Sequence, residues 1–188
     1  MISSSEARRL LRERELSAAL VVHSEGVAAA ARELCLRWGG DADLAEIAGL
    51  LHDVCRELGR KEVLRRARIH GLGIGALEEA YPVQLLHGPL AAAELATSDV
   101  PPEGLEAIAR HTVGGPGMTL VERCVFVADA TEPQRAYVGA DEARRLARVS
   151  LDQALSLVVA RDIERLRARD RQVHPVMLAL WEELGGDA

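Results

Sequence analysis

Polar and apolar positions follow a helical period along almost the whole chain. Leu44, Ile47, Ala48 and Leu51 fall on one face of an amphipathic helix. The same reading predicts a short charged helix over Glu6–Ser17 and a longer one over Ala18–Trp38, stopped by Gly39-Gly40. A third, capped by Asp41 or Asp43, runs to about Val54. Glu57–Ile69 follows and ends before Gly71, Gly73 and Gly75, and Tyr81-Pro82 breaks the chain. Further helices are expected over Leu85–Ala96, from near Glu103 to His111, and over Met118–Ala130, Ala140–Ala147, Leu151–Arg169 and Pro175–Leu184. Val121–Val127 has the β-branched content of a buried strand, but no partner strand is in view. The expectation is an all-α bundle of nine or ten helices.

Composition supports this. Alanine occurs 30 times and leucine 27 times, against five aromatics: Trp38, Tyr81, Phe126, Tyr137 and Trp181. Such a chain favours helices packed closely on small side chains. Its 188 residues suit one domain. Residues 1–16 read as a peripheral N-terminal helix and 17–185 as the functional domain. Cys35, Cys55 and Cys124 form no CxxC pair and read as buried apolar residues in a reducing cytoplasm. The N-terminus lacks a signal-peptide pattern, and Leu16–Val22 is too short to span a bilayer, so no membrane partner is expected. The formal net charge is −6. With no strongly basic tract, nucleic acid is not an expected partner. An acidic surface also opposes phosphorylated ligands, which makes any local cationic site informative.

The candidate chemistry lies in histidines and aspartates set at the ends of, or inside, apolar segments. His52-Asp53 follows Ala48–Leu51, and Asp129 sits within Val127–Ala130. Carboxylates are seldom buried without a partner. Taken singly, each histidine is more often a surface or satisfied core residue. The ordered set His23, His52-Asp53, His87, His111 and Asp129 is more specific, because successive members are about one helix and a turn apart. Each ligand would then come from a different helix, as in bundle-core metal sites. His70 lies in a glycine-rich turn and reads as exposed, and His174, before Pro175, reads as structural.

This order resembles the HD superfamily of metal-dependent phosphohydrolases. The segments HSEGVAAAA (23–31), AGLLHDVCRE (48–57), LLHG (85–88), AIARHTVGGPGMTLVERCVFVADATEPQR (107–135) and HP (174–175) are similar to its YqeK family. The resemblance spans about residues 17–183. It implies a single-domain HD helical bundle that cleaves diadenosine tetraphosphate symmetrically into two ADP. It implies a divalent metal, with iron expected as one or two ions and manganese or zinc as substitutes. By position, His23, His52, Asp53 and Asp129 would hold the ion. His87 and His111 would bind a second ion or phosphate, and Thr112 and Arg135 would contact the nucleotide. At Arg56 the family pattern leads us to expect lysine; arginine binds phosphate well but cannot give up a proton.

Read from the residues, Asp53 would orient the attacking water and His111 would serve as proton donor. Arg56 would share a helix face with His52 and Asp53. Glu132 would steady a histidine or arginine behind the site, or pair with Arg135. Gly114, Gly115 and Gly117 read as a helix-to-helix turn rather than a phosphate loop. Arg144-Arg145 and Arg161–Arg171 read as solvated helix faces, because acids are interleaved. Tyr81, Tyr137 and Trp181 are the stacking candidates for a base. Two other readings share the motif: an HD nucleotidase acting on a mononucleotide, and a nucleotide-binding regulatory module without turnover. A homodimer is an expectation from the prevalence of symmetric pairs alone.

Overall fold

The computed structural model describes residues 2–187. The elements are α1 (Ser4–Arg12), α2 (Ala18–Trp38), α3 (Ala42–Leu51), α4 (Arg60–Ile69), α5 (Ala76–Ala80), α6 (Pro82–Leu95), α7 (Pro102–Arg110), α8 (Leu120–Thr131), α9 (Ala140–Ala147), α10 (Leu151–Arg167) and α11 (Pro175–Glu183), with no strand among the described residues. The expected all-α bundle is therefore observed, with eleven helices among the described residues in place of nine or ten, and Val121–Val127 is helical.

Local signals account for the boundaries. Ser17, Asp41, Thr119 and Ser150 each accept a backbone N–H as N-cap, at Leu20, Leu44, Glu122 and Gln153. Gly39, at φ 81°, ends α2 in the left-handed conformation that glycine adopts without strain. Three expectations need correction. α3 stops at Leu51 rather than Val54, and residues 52–57 continue as tight turns. α5 is a separate short helix closed by Glu78, whose carboxylate accepts from Gly75 N at 2.8 Å. α1 ends at Arg12, and Glu15 takes a positive φ of 51°.

The core is built largely from alanine, leucine and valine on α2, α3, α6, α7 and α8. α2 lies against α3 and α8, and α6 against α7. α1 lays Ala7 and Leu11, both fully buried, into the same core. Small residues permit close crossings. A Cβ on Gly49 of α3 would stand 2.7 Å from Ala28 Cα of α2, and one on Gly88 of α6 would stand 2.9 Å from Ile108 O of α7. Each crossing lies beside a candidate histidine, so close packing and site assembly are one feature. Among the described residues, no helix is long and apolar enough to cross a membrane.

Candidate metal centre and active site

Six side chains expected at one site meet at one place. His23 comes from α2, His87 from α6 and Asp129 from α8. His52 and His111 are the C-cap residues of α3 and α7, and Asp53 occupies the first turn beyond α3. Helix C-termini carry partial negative charge, so both caps present a field that favours a cation.

Distances within the cluster are short. Asp129 Oδ1 lies 3.1 Å from His23 Nε2 and 3.9 Å from His52 Nε2. Asp53 Oδ1 lies 3.0 Å from His87 Nε2 and 3.4 Å from His111 Nε2, while its Oδ2 lies 3.5 Å from His52 Nε2. Ligand atoms of His23, His52 and Asp129 fall within 4.8 Å of one another, as do those of His52, Asp53 and His111.

The imidazoles share one orientation. His52 Nδ1 donates to Gly49 O, His87 Nδ1 to Val83 O and His111 Nδ1 to Ile108 O, each at 2.7 Å. A backbone carbonyl only accepts, so Nδ1 carries the proton and a neutral ring turns its Nε2 lone pair inward. His23 Nδ1 faces the buried Glu132 carboxylate at 3.1 Å, which does the same for that ring. His87 Nε2 and His111 Nε2 stand 2.9 Å apart. Two inward lone pairs at that distance repel unless a proton or cation lies against them.

Burial opposes charge throughout, and the cluster resolves it unevenly. For His52, burial is outweighed by Asp53 and Asp129, which push its pKa up to about 9: the negative field that draws a proton to Nε2 is the field that favours a metal cation in its place. For His87, burial dominates, with help from His111 and Arg56, and its pKa falls to about 4. Burial also opposes the Asp53 charge, yet His52, His111 and His87 hold that carboxyl far below the usual carboxylate range. Asp129 is held low in the same way, by His23, His52 and Arg135 against burial. Both acids therefore stay ionised, with imidazole nitrogens around them.

The donors fit a divalent ion. Three buried side-chain polar atoms lack a hydrogen-bond partner among the described residues, and two of them, His52 Nε2 and Asp53 Oδ1, are at the centre of this cluster. Native interiors rarely leave such atoms unanswered. Imidazole nitrogens with carboxylate oxygens are the donor set of first-row divalent metals, and carboxylate can bridge two of them.

A family model described as HD domain matches residues 20–134, the span from α2 to the residues following α8. Symmetrical bis(5'-nucleosyl)-tetraphosphatases of Bacillus subtilis and Staphylococcus aureus are each 34% identical, over 82% and 90% of this chain and 83% and 88% of their own. The chain belongs to the HD family, in the branch of these phosphohydrolases. A similar enzyme of the same name from Halalkalibacterium halodurans is 30% identical over 86% of this chain and 87% of its own. The crystal structure of an HD superfamily hydrolase from Clostridium acetobutylicum, described as involved in NAD metabolism, superposes with a TM-score of 0.89. It is 28% identical, covering 98% of this chain and 97% of that one.

Around the HD site, the remaining expected residues separate into several groups. Arg56 reaches the cluster, with Nη1 3.3 and 3.4 Å from the two His87 ring nitrogens. It does so from a tight turn, where Arg56 N donates to Asp53 O at 2.9 Å, and not from a helix face shared with His52. Thr112 Oγ1 lies 3.0 Å from His111 Nε2 and 3.3 Å from His87 Nε2. Arg135 grips Asp129 twice, through its carboxylate and through its backbone O at 2.7 Å. Glu132 stands at the C-cap of α8, outside the helix, where it holds His23 and accepts from Gln134 N at 2.7 Å. Its approach to Arg135 is longer, at 3.9 Å.

His70 is exposed, and His174 caps α11 while Nε2 meets Glu78 at 3.0 Å, both outside the cluster. The Gly114–Gly117 stretch is a turn packed on α11: a Cβ on Gly114 would stand 2.6 Å from Leu180. Among the stacking candidates, Tyr81 carries the Arg171 guanidinium over its ring at 5.3 Å, Trp181 donates to Asp187 O and Tyr137 is exposed.

One supporting residue escaped sequence reasoning. Arg144 is no solvated face residue. It donates to Thr131 O at 2.8 Å, to Glu132 O at 2.9 Å and to Arg135 O, clamping the segment that carries Glu132 and Arg135. Backbone carbonyl partners leave no side-chain signature, and nothing in the residues near Arg144 announces them.

Proposed function

We propose that the protein is a metal-dependent hydrolase that cleaves dinucleoside tetraphosphates, diadenosine tetraphosphate among them, into two nucleoside diphosphates. The carrying observation is the inward convergence of four Nε2 atoms on two ionised carboxylates, in a chain whose relatives bear that activity in their names. In this reading His23, His52, Asp53 and Asp129 hold the metal, and His87 and His111 hold a second ion or phosphate oxygens. Iron is the metal we propose, as one or two ions, with manganese or zinc able to substitute. A divalent ion there supplies Lewis-acid charge and acidifies a water.

This chain's own residues do the rest. Asp53, fixed among three imidazoles, orients the water at the attacked phosphorus. Arg135 and Arg56 offset charge on the phosphoryl oxygens, and Arg56, permanently protonated, binds but passes no proton. Thr112 places a hydroxyl against the same oxygens. Proton delivery to the leaving diphosphate falls to His111 as the doubly protonated ring: Nδ1 keeps its bond to Ile108 O, and Nε2, in the arrangement where it faces phosphate and not a second ion, gives up the proton. Glu132 holds the ring of His23 in register. The partner is a free nucleotide and not nucleic acid. The three buried free thiols suit a cytoplasmic setting, and a homodimer rests on symmetry alone.

The test is product analysis with iron-, manganese- and zinc-loaded protein. Two ADP per diadenosine tetraphosphate are expected. Asp53→Ala should lose about 10³-fold or more in turnover while keeping its helical circular dichroism, a loss of the size seen when charge stabilisation is removed. Intact dinucleotide after prolonged incubation, or faster release of inorganic phosphate from a mononucleotide, would sink the reading.

A further inference from the structure

Most arginines of this chain are held by its own acids and carbonyls: Arg8 by Glu25 and Glu46, Arg66 by Glu62 and Glu94, Arg110 by Glu122. Arg56, Arg169 and Arg171 differ. None has a carboxylate partner among the described residues, although Arg171 lies over the Tyr81 ring, and all three line one cleft of about 160 Å³. They come from three places in the chain: the turns after α3, the residues just past α10, and the link to α11.

The cleft adjoins the metal centre through two shared residues. Thr112 and Arg56 line it, and both also contact His87. Its opposite wall is fastened by the bond between His174 at the head of α11 and Glu78 of α5. Leu166 and Tyr81 add apolar surface. Arg165, also in the cleft, is already answered by Asp162 at 2.8 Å, so the free positive charge belongs to the other three. The one carboxylate lining the cleft, Asp162, is taken by Arg165, so three guanidinia remain there for an incoming anion, and guanidinia bind phosphate bidentately.

We propose that this cleft binds one nucleoside diphosphate unit, its phosphates passing from Arg56 and Thr112 toward Arg169 and Arg171 and its nucleoside resting on the wall of Tyr81 and Leu166. The proposal builds on the hydrolase reading. It makes Arg169 and Arg171 specificity-determining: they grip the arm that a tetraphosphate substrate has and a short phosphate ester lacks.

The experiment uses full-length, metal-loaded protein with ADP as probe, read by calorimetry, beside steady-state kinetics on diadenosine tetraphosphate. Arg169→Ala and Arg171→Ala are compared singly and together with Arg167→Ala, which removes the same charge from α10 outside the cleft. Each cleft variant should weaken ADP binding and raise KM by about tenfold, as expected on losing a charge-assisted contact. The kcat should stay within about threefold of wild type, the mark of binding shared by ground and transition states. Arg167→Ala should leave both readouts within about twofold, since its charge is solvent-screened. Equal ADP affinity in the double variant and Arg167→Ala overturns the proposal. So does a wild type that fails to bind ADP, or a loss confined to kcat. If ADP binds through these arginines while diadenosine tetraphosphate stays intact, the cleft stands and the hydrolase reading falls.

Discussion

Glu132 shows how the site is held at the scale of single residues. Its carboxylate is almost wholly buried, takes His23 Nδ1 at 3.1 Å and leaves Nε2 free to face Asp129. Glu132→Ala should therefore lower metal affinity by about 10–100-fold, the usual range for the partner of a metal-ligating histidine. Chelator competition measures this, with circular dichroism reporting a retained fold. Unchanged affinity would remove Glu132 from the support of the site. The histidines and aspartates that converge were all legible in the sequence, because their order along the helices is itself a pattern. Their outer partners were not. Gly49, Val83 and Ile108 act through backbone carbonyls three or four residues before each histidine. A helix offers that acceptor to any residue type, so no letter marks it.

At the scale of elements, helix periodicity located nearly every helix, and caps located most ends. Periodicity failed where α3 gives way to turns at His52, because apolar residues continue through Val54 and Cys55 while the backbone does not. That early stop lets Asp53 turn into the cluster and lets Arg56 reach His87. The α2–α3 crossing depends on Gly49. A Cβ there would meet the Ala28 backbone, at 2.7 Å from Cα and 2.9 Å from N, which cannot move as a side chain tip can. Gly49→Ala should destabilise the protein by about 1–3 kcal/mol in urea denaturation, the typical cost of overpacking. It should also reduce activity, because the Gly49 carbonyl orients His52. Wild-type stability in this variant would show that the two helices can part without loss.

At the scale of the molecule, net charge describes the surface poorly as a guide to the site. The −6 balance coexists with a cluster whose two acids face imidazoles and whose neighbouring cleft is rich in arginine. Acidic and basic side chains elsewhere join distant parts of the chain. Glu94 of α6 is such a joint, meeting Arg14 just after α1 and Arg66 of α4 at 3.1 Å. Its side chain is only 12% exposed. Burial opposes the Glu94 charge, but Arg14 and Arg66 prevail and lower its pKa below the usual glutamate value. A depressed carboxyl pKa contributes stability above the unfolded value, and that contribution fades as pH falls through the folded one. Glu94→Gln should thus cost about 1–3 kcal/mol at neutral pH, the range for a charge-assisted contact removed from a mostly buried site. The difference from wild type should shrink progressively below about pH 4.5, as glutamate becomes protonated in the unfolded chain. Urea denaturation across that range measures it. A cost that stays constant down to the acid limit would mean that Glu94 acts by packing and not by charge.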